Sequence, residues 1–251
     1  MVVFHMDLDN TIIYSYRHEI GEDKLEAEWY NGRNISYITR ETCDMLKKLR
    51  EKALLVPTTT RTEEQYRRIN LQIGSIKYAL VCNGGVLLVD GKEDTEWYRK
   101  SRELVDNCQA MLHKAAAVLE KDKRRIFEVR FIKELFVFTK CEEPEAVVKD
   151  LRKITDKTLM EIFSNGSKVY AVPKALSKGA AVERFREYIG AGLVIAAGDS
   201  EFDLPMFEKA DVAFAPMELA KKYQMDPNTR VLPNTKVYSE EVLTHVLKVV
   251  G

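Results

Sequence analysis

Asp7 and Asp9 stand two residues apart, directly behind the apolar run Val2-Val3-Phe4-His5-Met6, and Thr11 follows them. A mostly apolar run of this length reads as a buried strand of a parallel sheet. Ligands of open α/β sheets bind just beyond the carboxyl ends of such strands. Three further clusters stand at expected strand ends or helix starts: Thr59, Lys178, and Asp199 with Asp203. Parallel strands would bring all four clusters together. Asp7, Asp9, Asp199 and Asp203 within several ångströms of one another would repel strongly at low dielectric. A hard divalent cation relieves that repulsion, and oxygen-only ligands select Mg²⁺, which takes one or two carboxylates plus water and substrate phosphate. Lys178 at a helix start and Thr59 with nearby backbone N–H groups would then hold phosphate oxygens. A free carboxylate beside a metal-bound phosphoryl group is a competent nucleophile.

The elements that must position these residues alternate strand and helix, which implies a mainly parallel sheet. Behind the first strand comes a polar loop sprinkled with aromatics (Tyr14, Tyr16, Trp29, Tyr30) through about Ser36. Thr39 is placed to cap a helix with Glu41 in its first turn and Met45, Leu46 and Leu49 on one face. Residues 53–57 form a second strand that runs into Thr58-Thr59-Thr60-Arg61, and Thr62-Glu63-Glu64-Gln65 has the spacing of a capping box. A third strand, 78–82, ends at Asn83-Gly84-Gly85. The alternation then breaks. One long amphipathic helix is expected over 101–121, strands over 126–131 and 135–139, a helix from Pro144 to about 154, and a hairpin of 159–164 and 168–172 turned by Asn165-Gly166. The alternation resumes with a helix over 177–188 closed by Gly190, a strand over 193–197 ending in Gly198-Asp199-Ser200, a short helix through about 209, a strand near 212–214 and a last helix from Ser239. The reading is a doubly wound, Rossmann-like α/β core, residues 1–89 and 173–251, with a smaller α+β domain, 90–172, inserted into it.

Composition narrows the partners. Among 251 residues, 39 basic groups balance 39 acidic ones, so the basic footprint of a general nucleic-acid binder is missing. No apolar run approaches the ~20 residues of a membrane span, and a strand beginning at Val2 leaves no room for a signal peptide. Cys43, Cys82, Cys108 and Cys141 form no C-x-x-C, and the four histidines are scattered without zinc-ligand spacing. A cytoplasmic protein acting on a small molecule, with no nucleic-acid or membrane partner, is the expectation.

At these residues the chain resembles the haloacid dehalogenase-like superfamily of Mg²⁺-dependent phosphatases, and within it the Cof-type branch that includes sucrose-phosphate phosphatases. Asp7-x-Asp9-x-Thr11 matches the first motif, Thr59 stands where the motif threonine or serine ends the second strand, Ser177-Lys178-Gly179 matches the lysine motif, and Gly198-Asp199-Ser200-Glu201-Phe202-Asp203 matches the acidic motif. Asn83-Gly84-Gly85 resembles the branch's Asn-Gly-Ala, and the inserted domain then corresponds to its cap. The resemblance implies that Asp7 attacks phosphorus and that Asp9 protonates the leaving oxygen and then activates water. It implies that Asp7, the Asp9 carbonyl and Asp199 hold Mg²⁺, with Asp203 supporting the metal shell or orienting Lys178. Thr59 or Thr58, with Lys178, would bind the phosphoryl group; Arg61, Asn83 and Gly84 are the remaining candidates for phosphate or substrate binding. The implied reaction is hydrolysis of a small phosphate monoester, a sugar phosphate or similar metabolite, through an aspartyl-phosphate, beneath a cap that closes over the site and selects the substrate. Two positions depart from the pattern: Thr60 replaces the usual glycine, and Phe202 replaces the usual asparagine.

Plainer readings stand beside these. Asp7 and Asp9 could be a cap and a turn residue, Lys178 a solvated helix residue, Asp203 a first-turn carboxylate, and Thr58 to Thr60 a turn. His5 and Cys82 read as core. Tyr66, Arg67 and Arg68 fit an exposed helix as well as a substrate contact, and Glu128, Arg130 and Lys133 fit a solvated strand face. A sugar phosphomutase, a catalytically weak regulatory protein of the same fold and a receiver-like phosphoacceptor are the alternative functions.

Overall fold

The apolar run before Asp7 folds as strand β1, Val2–Met6, an interior strand of a sheet with a parallel neighbour on each side. The computed structural model describes residues 1–233 and 237–251. The chain divides into two units: Met1–Asp94 with Lys178–Gly251, and Thr95–Ser177.

Within the first unit, the stretch expected to be a loop is a small antiparallel sheet of β2 (Tyr14–Ser15), β3 (Lys24–Tyr30) and β4 (Arg33–Thr39), in the order β2-β4-β3. Its hairpin turns at Asn31 and Gly32, with φ of 50° and 77°. Positive φ at both central residues is the type I′ turn that Asn-Gly favours, so the signal lay in the sequence. A bulge at Glu28, opposite Ser36, breaks the register between Glu26 and Trp29. Helix α1 (Arg40–Leu49) follows, with the Thr39 hydroxyl accepting from Thr42 N as its cap and Cys43, Leu46 and Leu49 buried. After β5 (Leu54–Pro57), the Thr62–Gln65 capping box opens α2 (Glu63–Tyr66), a single turn. Strands β6 (Tyr78–Val81), β7 (Val86–Val89) and β8 (Lys92–Glu93) pair antiparallel in a sheet of their own, tied to the parallel one by the bridge between Thr58 and Leu80.

The second unit departs from expectation in two places. The long helix is broken into α3 (Thr95–Leu104) and α4 (Gln109–Lys121) by a 3₁₀ turn at Asp106–Cys108. Asp and Asn are poor helix formers because their side chains compete for backbone hydrogen bonds. Leu104, at the end of α3, is exposed, whereas Cys108, Leu112, Ala115 and Leu119 are buried. Strands β9 (Arg130–Ile132) and β10 (Phe136–Lys140) precede α5 (Pro144–Arg152), and β11 (Met160–Asn165) pairs with β12 (Lys168–Pro173). Because Asn165 pairs with Lys168, the two turn residues are Gly166 and Ser167 rather than Asn165 and Gly166. Only Gly166 has positive φ, the pattern of a type II′ turn. The sheet order is β11-β12-β10-β9. Val137, Ile162, Val169 and Ala171 pack against Leu112, Leu119, Val147 and Leu151 of the helices. Arg130 pairs with Glu128 at 2.7 Å, and the Lys133 ammonium lies over the Tyr98 ring.

The chain re-enters the first unit through α6 (Lys178–Ile189), β13 (Leu193–Ala197), α7 (Leu204–Lys209), β14 (Val212–Pro216), α8 (Met217–Ala220), β15 (Thr229–Leu232) and α9 (Tyr238–Val249). The parallel sheet runs β15-β14-β13-β1-β5, with helices on both faces. Strand alternation sorts the core. Phe4, Met6, Ile195 and Ala197 pack with Leu46, Leu49, Val242 and Val246 of α1 and α9. Val194 and Ala196 pack with Val182, Met206 and Phe207 of α6 and α7. Among the described residues no helix is long and apolar enough to cross a membrane, and the four cysteines are buried and joined in no disulfide.

His5 is a core residue, as its place in β1 implied. It is fully buried, its Nδ1 lies 2.9 Å from Thr58 Oγ1, and its ring meets Phe185 edge-on at 5.5 Å. Burial, helped by Arg186, lowers its pKa to about 3. The native state thus keeps His5 neutral where the unfolded chain takes up a proton near pH 6.5. The stability this contributes is complete above that pH and is lost as pH falls towards 3. Urea unfolding at pH 7 and pH 5 should show the parent protein losing more stability on acidification than His5→Gln; equal losses would contradict the burial argument.

Candidate active site

Asp7, Thr58 and Gly198 leave three adjacent parallel strands at one edge. Met6 pairs with both Ala197 and Pro57, Asp7 N donates to Ala197 O at 2.9 Å, and Thr58 N donates to Met6 O at 2.8 Å. Alternation places Asp7 on the same side of β1 as His5, which packs against α6, and the first residue of α6 is Lys178. The Lys178 ammonium donates to Asp7 Oδ1 at 2.5 Å and to Asp203 Oδ1 at 2.6 Å; all three side chains are buried. Asp203 Oδ2 accepts from Asp199 N at 3.1 Å, Ser200 N at 3.0 Å and Ser200 Oγ at 3.0 Å. Both oxygens of Asp203 are therefore engaged, one by the lysine and one by the loop that carries Asp199.

Two glycines permit this packing. A Cβ on Gly198 would lie 2.2 Å from Asp203 Cγ, and one on Gly179 would lie 2.1 Å from the Pro205 carbonyl oxygen. The glycines flanking Asp199 and Lys178 are thus demanded by close approach rather than by backbone conformation.

Carboxylate oxygens of Asp7, Asp199 and Asp203 lie within 4.8 Å of one another. At an effective dielectric near 20, each pair of like charges at that spacing repels by roughly 3 to 4 kcal/mol, and Lys178 balances only one of the three. Burial pushes the Asp7 carboxyl up to about 7, with Asp203 and Asp9 adding to the effect and Lys178 opposing it. Burial also raises Asp199 well above the usual carboxylate range, with Asp7 and Asp203 adding to it. Lys178 is raised in turn: burial disfavours its charge, but Asp203 and Asp7 outweigh it. Thr11 Oγ1 lies 3.3 Å from Asp7 Oδ2 and 3.4 Å from Asp199 Oδ1, so its one proton can serve either. A hard cation fits this excess of negative charge and oxygen-only donor set, with Asp7 and Asp199 the carboxylates best placed to hold it.

Asp9 is held apart from that cluster. Its carboxylate, 48% exposed, receives Arg61 Nε at 2.8 Å and Arg61 Nη2 at 2.7 Å. The same Nη2 lies 2.9 Å from Glu28 Oε2, and Glu28 Oε1 receives Arg68 Nε at 3.0 Å. Burial works against the Arg61 charge, but the hydrogen bonds and charges of Asp9 and Glu28 prevail and raise its pKa. Arg61 thus faces two carboxylates, and Arg68 joins the same chain of charges. Glu28 carries no signal of its own in the sequence, because it is the β3–β4 hairpin that buries it.

The two threonines part company. The Thr58 hydroxyl contacts His5 and donates to Val56 O at 3.1 Å, inside the core. Thr59 Oγ1 accepts from Arg61 N at 3.2 Å, at the head of the loop that carries Arg61. Cys82, Asn83 and Gly84 all have left-handed φ, of 54°, 58° and 84°, and their amides are taken: Cys82 N by Arg61 O, Asn83 N by Thr59 O and Gly84 N by Val81 O. Cys82 and Asn83 accordingly brace the Thr59–Arg61 loop with their backbone, while the Gly84 amide turns back to Val81 at the end of its own strand.

A family model for haloacid dehalogenase-like hydrolases matches residues 92–223, slightly more than half of the chain. The chain belongs to that family. The matched segment of this haloacid dehalogenase-like hydrolase contains Lys178, Asp199 and Asp203. Asp7 and Asp9 precede it, and the Asp7–Lys178 contact joins the two parts. No curated protein matches. Among solved structures, the fold is similar to the sucrose-phosphatase of Synechocystis sp., solved with sucrose and phosphate, at 14% identity over 99% of this chain and 97% of that one, TM-score 0.61. It is similar to a haloalkanoate-superfamily phosphatase of Bacteroides thetaiotaomicron, at 16% identity over 100% and 95%, TM-score 0.60, and to a subclass IIB sugar phosphatase, at 14% over 99% of each chain, TM-score 0.58.

Gly198→Ala should destabilise the hydrolase by about 1–3 kcal/mol, the scale of overpacking a tight core site, since Asp203 is pinned by four donors and cannot yield. Thermal or urea unfolding of the variant tests this; a variant as stable as its parent would contradict the packing argument.

Proposed function

We propose that this hydrolase is a Mg²⁺-dependent phosphatase that cleaves small phosphate monoesters through an aspartyl-phosphate on Asp7. The observation that carries the reading is the buried Lys178 ammonium between Asp7 and Asp203, with Asp199 alongside. It presents one carboxylate oxygen pair, fixed and desolvated, at the carboxyl edge of the sheet. In this reading Asp7 attacks phosphorus, the ester P–O bond breaks, and Asp9 gives its proton to the departing alkoxide. Asp9, now a carboxylate, takes a proton from the water that cleaves the acyl phosphate, which restores Asp7 and releases inorganic phosphate. Lys178 and Thr59 bind the phosphoryl oxygens, and Asp203 aims Lys178 while closing the loop that carries Asp199. Asp7, Asp199 and the Asp9 carbonyl hold Mg²⁺, which when bound supplies positive charge to the phosphoryl oxygens. The inserted unit, Thr95–Ser177, serves as the cap that selects the substrate. The likeness in fold to phosphatases described as acting on sugars supports a sugar phosphate as the substrate class.

Release of inorganic phosphate from 4-nitrophenyl phosphate and a panel of sugar phosphates, with and without Mg²⁺, tests the reading. Turnover should vanish in EDTA, return with Mg²⁺, and fall roughly 10³-fold or more in Asp7→Asn, the scale on which loss of a covalent nucleophile acts. Metal-independent turnover, or full activity in Asp7→Asn, would overturn it.

A further inference from the structure

We infer that Tyr238 is a positioning residue for Asp199: its phenol fixes the peptide from which the Asp199 side chain springs. The inference rests on the Mg²⁺ role proposed for Asp199 above. Strands β13 and β14 pair in parallel through Ala197 and Phe214, and a further rung runs from Gly198 N to Phe214 O at 3.4 Å. Parallel pairing alternates donor and acceptor along each strand, so the next rung would bring the amide of residue 216 to the Gly198 carbonyl. Residue 216 is proline and has no N–H to give. The sheet therefore leaves the Gly198 carbonyl without a ladder donor, at the peptide immediately before Asp199. Gly198 is buried, and a buried carbonyl needs a partner. The Tyr238 hydroxyl takes the place of the missing amide, 2.9 Å from Gly198 O and 2.9 Å from Phe214 O. Both partners are carbonyl oxygens, which only accept, so the phenol is the donor.

The same peptide is held at its other end, where Asp199 N donates to Asp203 Oδ2 at 3.1 Å. A trans peptide is planar, with its C=O and N–H pointing opposite ways. Tyr238 and Asp203 thus grip one plane from opposite sides, and that plane sets the direction in which Asp199 leaves the backbone. Tyr238 can serve as a fixed donor because the start of its own helix, α9, is anchored three times. Ser239 N donates to the Tyr14 hydroxyl at 2.8 Å, Ser239 Oγ lies 2.7 Å from Thr42 Oγ1, and Thr39 Oγ1 donates to Glu240 Oε1 at 2.7 Å. With Asp203 as its only holder, the plane would be free to rock about the N–H contact. A carboxylate that presents an oxygen to a metal depends on such support behind it, so α9 serves the cation without touching it.

Mg²⁺ binding measured by titration calorimetry, without substrate, separates this role from a purely structural one. Tyr238→Phe keeps the ring and removes the donor. Its Mg²⁺ dissociation constant should rise roughly tenfold or more, within the 10–100-fold that loss of a group behind a metal ligand causes. With 4-nitrophenyl phosphate, kcat at saturating Mg²⁺ should stay within about threefold of the parent, so that the loss appears in the Mg²⁺ activation constant. Thr42→Val, which cuts the Ser239 anchor of α9, should raise the dissociation constant about threefold, a smaller effect because it acts one contact further away. Urea unfolding in EDTA shows which variants fold, and Thr42→Val carries the test if Tyr238→Phe does not. A dissociation constant equal to the parent's in folded Tyr238→Phe, or in Thr42→Val in its stead, would overturn the inference whatever the variant's stability, and would leave the phosphatase reading standing. A parent that neither binds Mg²⁺ nor needs it for turnover would overturn both.

Discussion

The buried ammonium of Lys178 is the interaction on which the site depends. It is the sole cation contacting Asp7 and Asp203 among the described contacts, and it draws α6, β1 and the loop behind β13 to one point. An uncompensated carboxylate in that position would be costly, and removing one partner of a buried pair costs more than the pair contributes. The surroundings reflect this constraint. Gly179 lets α6 approach Pro205, and Gly198 lets the Asp203 carboxylate slide beneath the loop that presents Asp199. Asp203 then uses one oxygen to hold the lysine and the other to hold the loop.

Two acidic residues only two positions apart acquire different environments from this arrangement. Asp7, at the strand end, lies buried against α6, where low dielectric raises its proton affinity and Lys178 opposes that rise. Asp9 lies beyond the strand, in the turn where Asn10 takes a left-handed φ of 59°, and it faces an arginine and water. One carboxylate is desolvated and held by an ammonium and a hydroxyl; the other is half exposed and held by a guanidinium fork.

Much of this was legible in order along the chain. Strand β1, the Thr39 cap, the Thr62–Gln65 capping box, β5, β13 and α6 follow from local rules of periodicity and capping, and those rules operate within a few residues. The errors came where a local signal was overlooked or needed register. Asn31-Gly32 between two alternating runs is a hairpin signal that the aromatic loop reading passed over. The turn at 166–167 is displaced by one residue from Asn165-Gly166, because strand register is set by which faces are buried and not by the turn dipeptide alone. The break at Asp106-Asn107 interrupts an apolar stripe that continues on both sides of it, so the stripe hid the break.

By itself the sequence determined which residues stand at strand ends and helix starts, and hence that Asp7, Lys178, Asp199 and Asp203 would meet once the strands ran parallel. Parallel pairing in a doubly wound sheet leaves the carboxyl ends of β1 and β13 side by side, so convergence follows from topology. Only the tertiary structure decided how charge is shared once they meet: that Asp203 spends both oxygens on Lys178 and its own loop, that Thr58 turns to His5 while Thr59 meets the Arg61 amide, and that Arg61 lies between Asp9 and a glutamate 33 residues before it. The reason is physical. Periodicity reports which face a side chain takes, whereas the partner of a buried charge depends on every other charge buried with it.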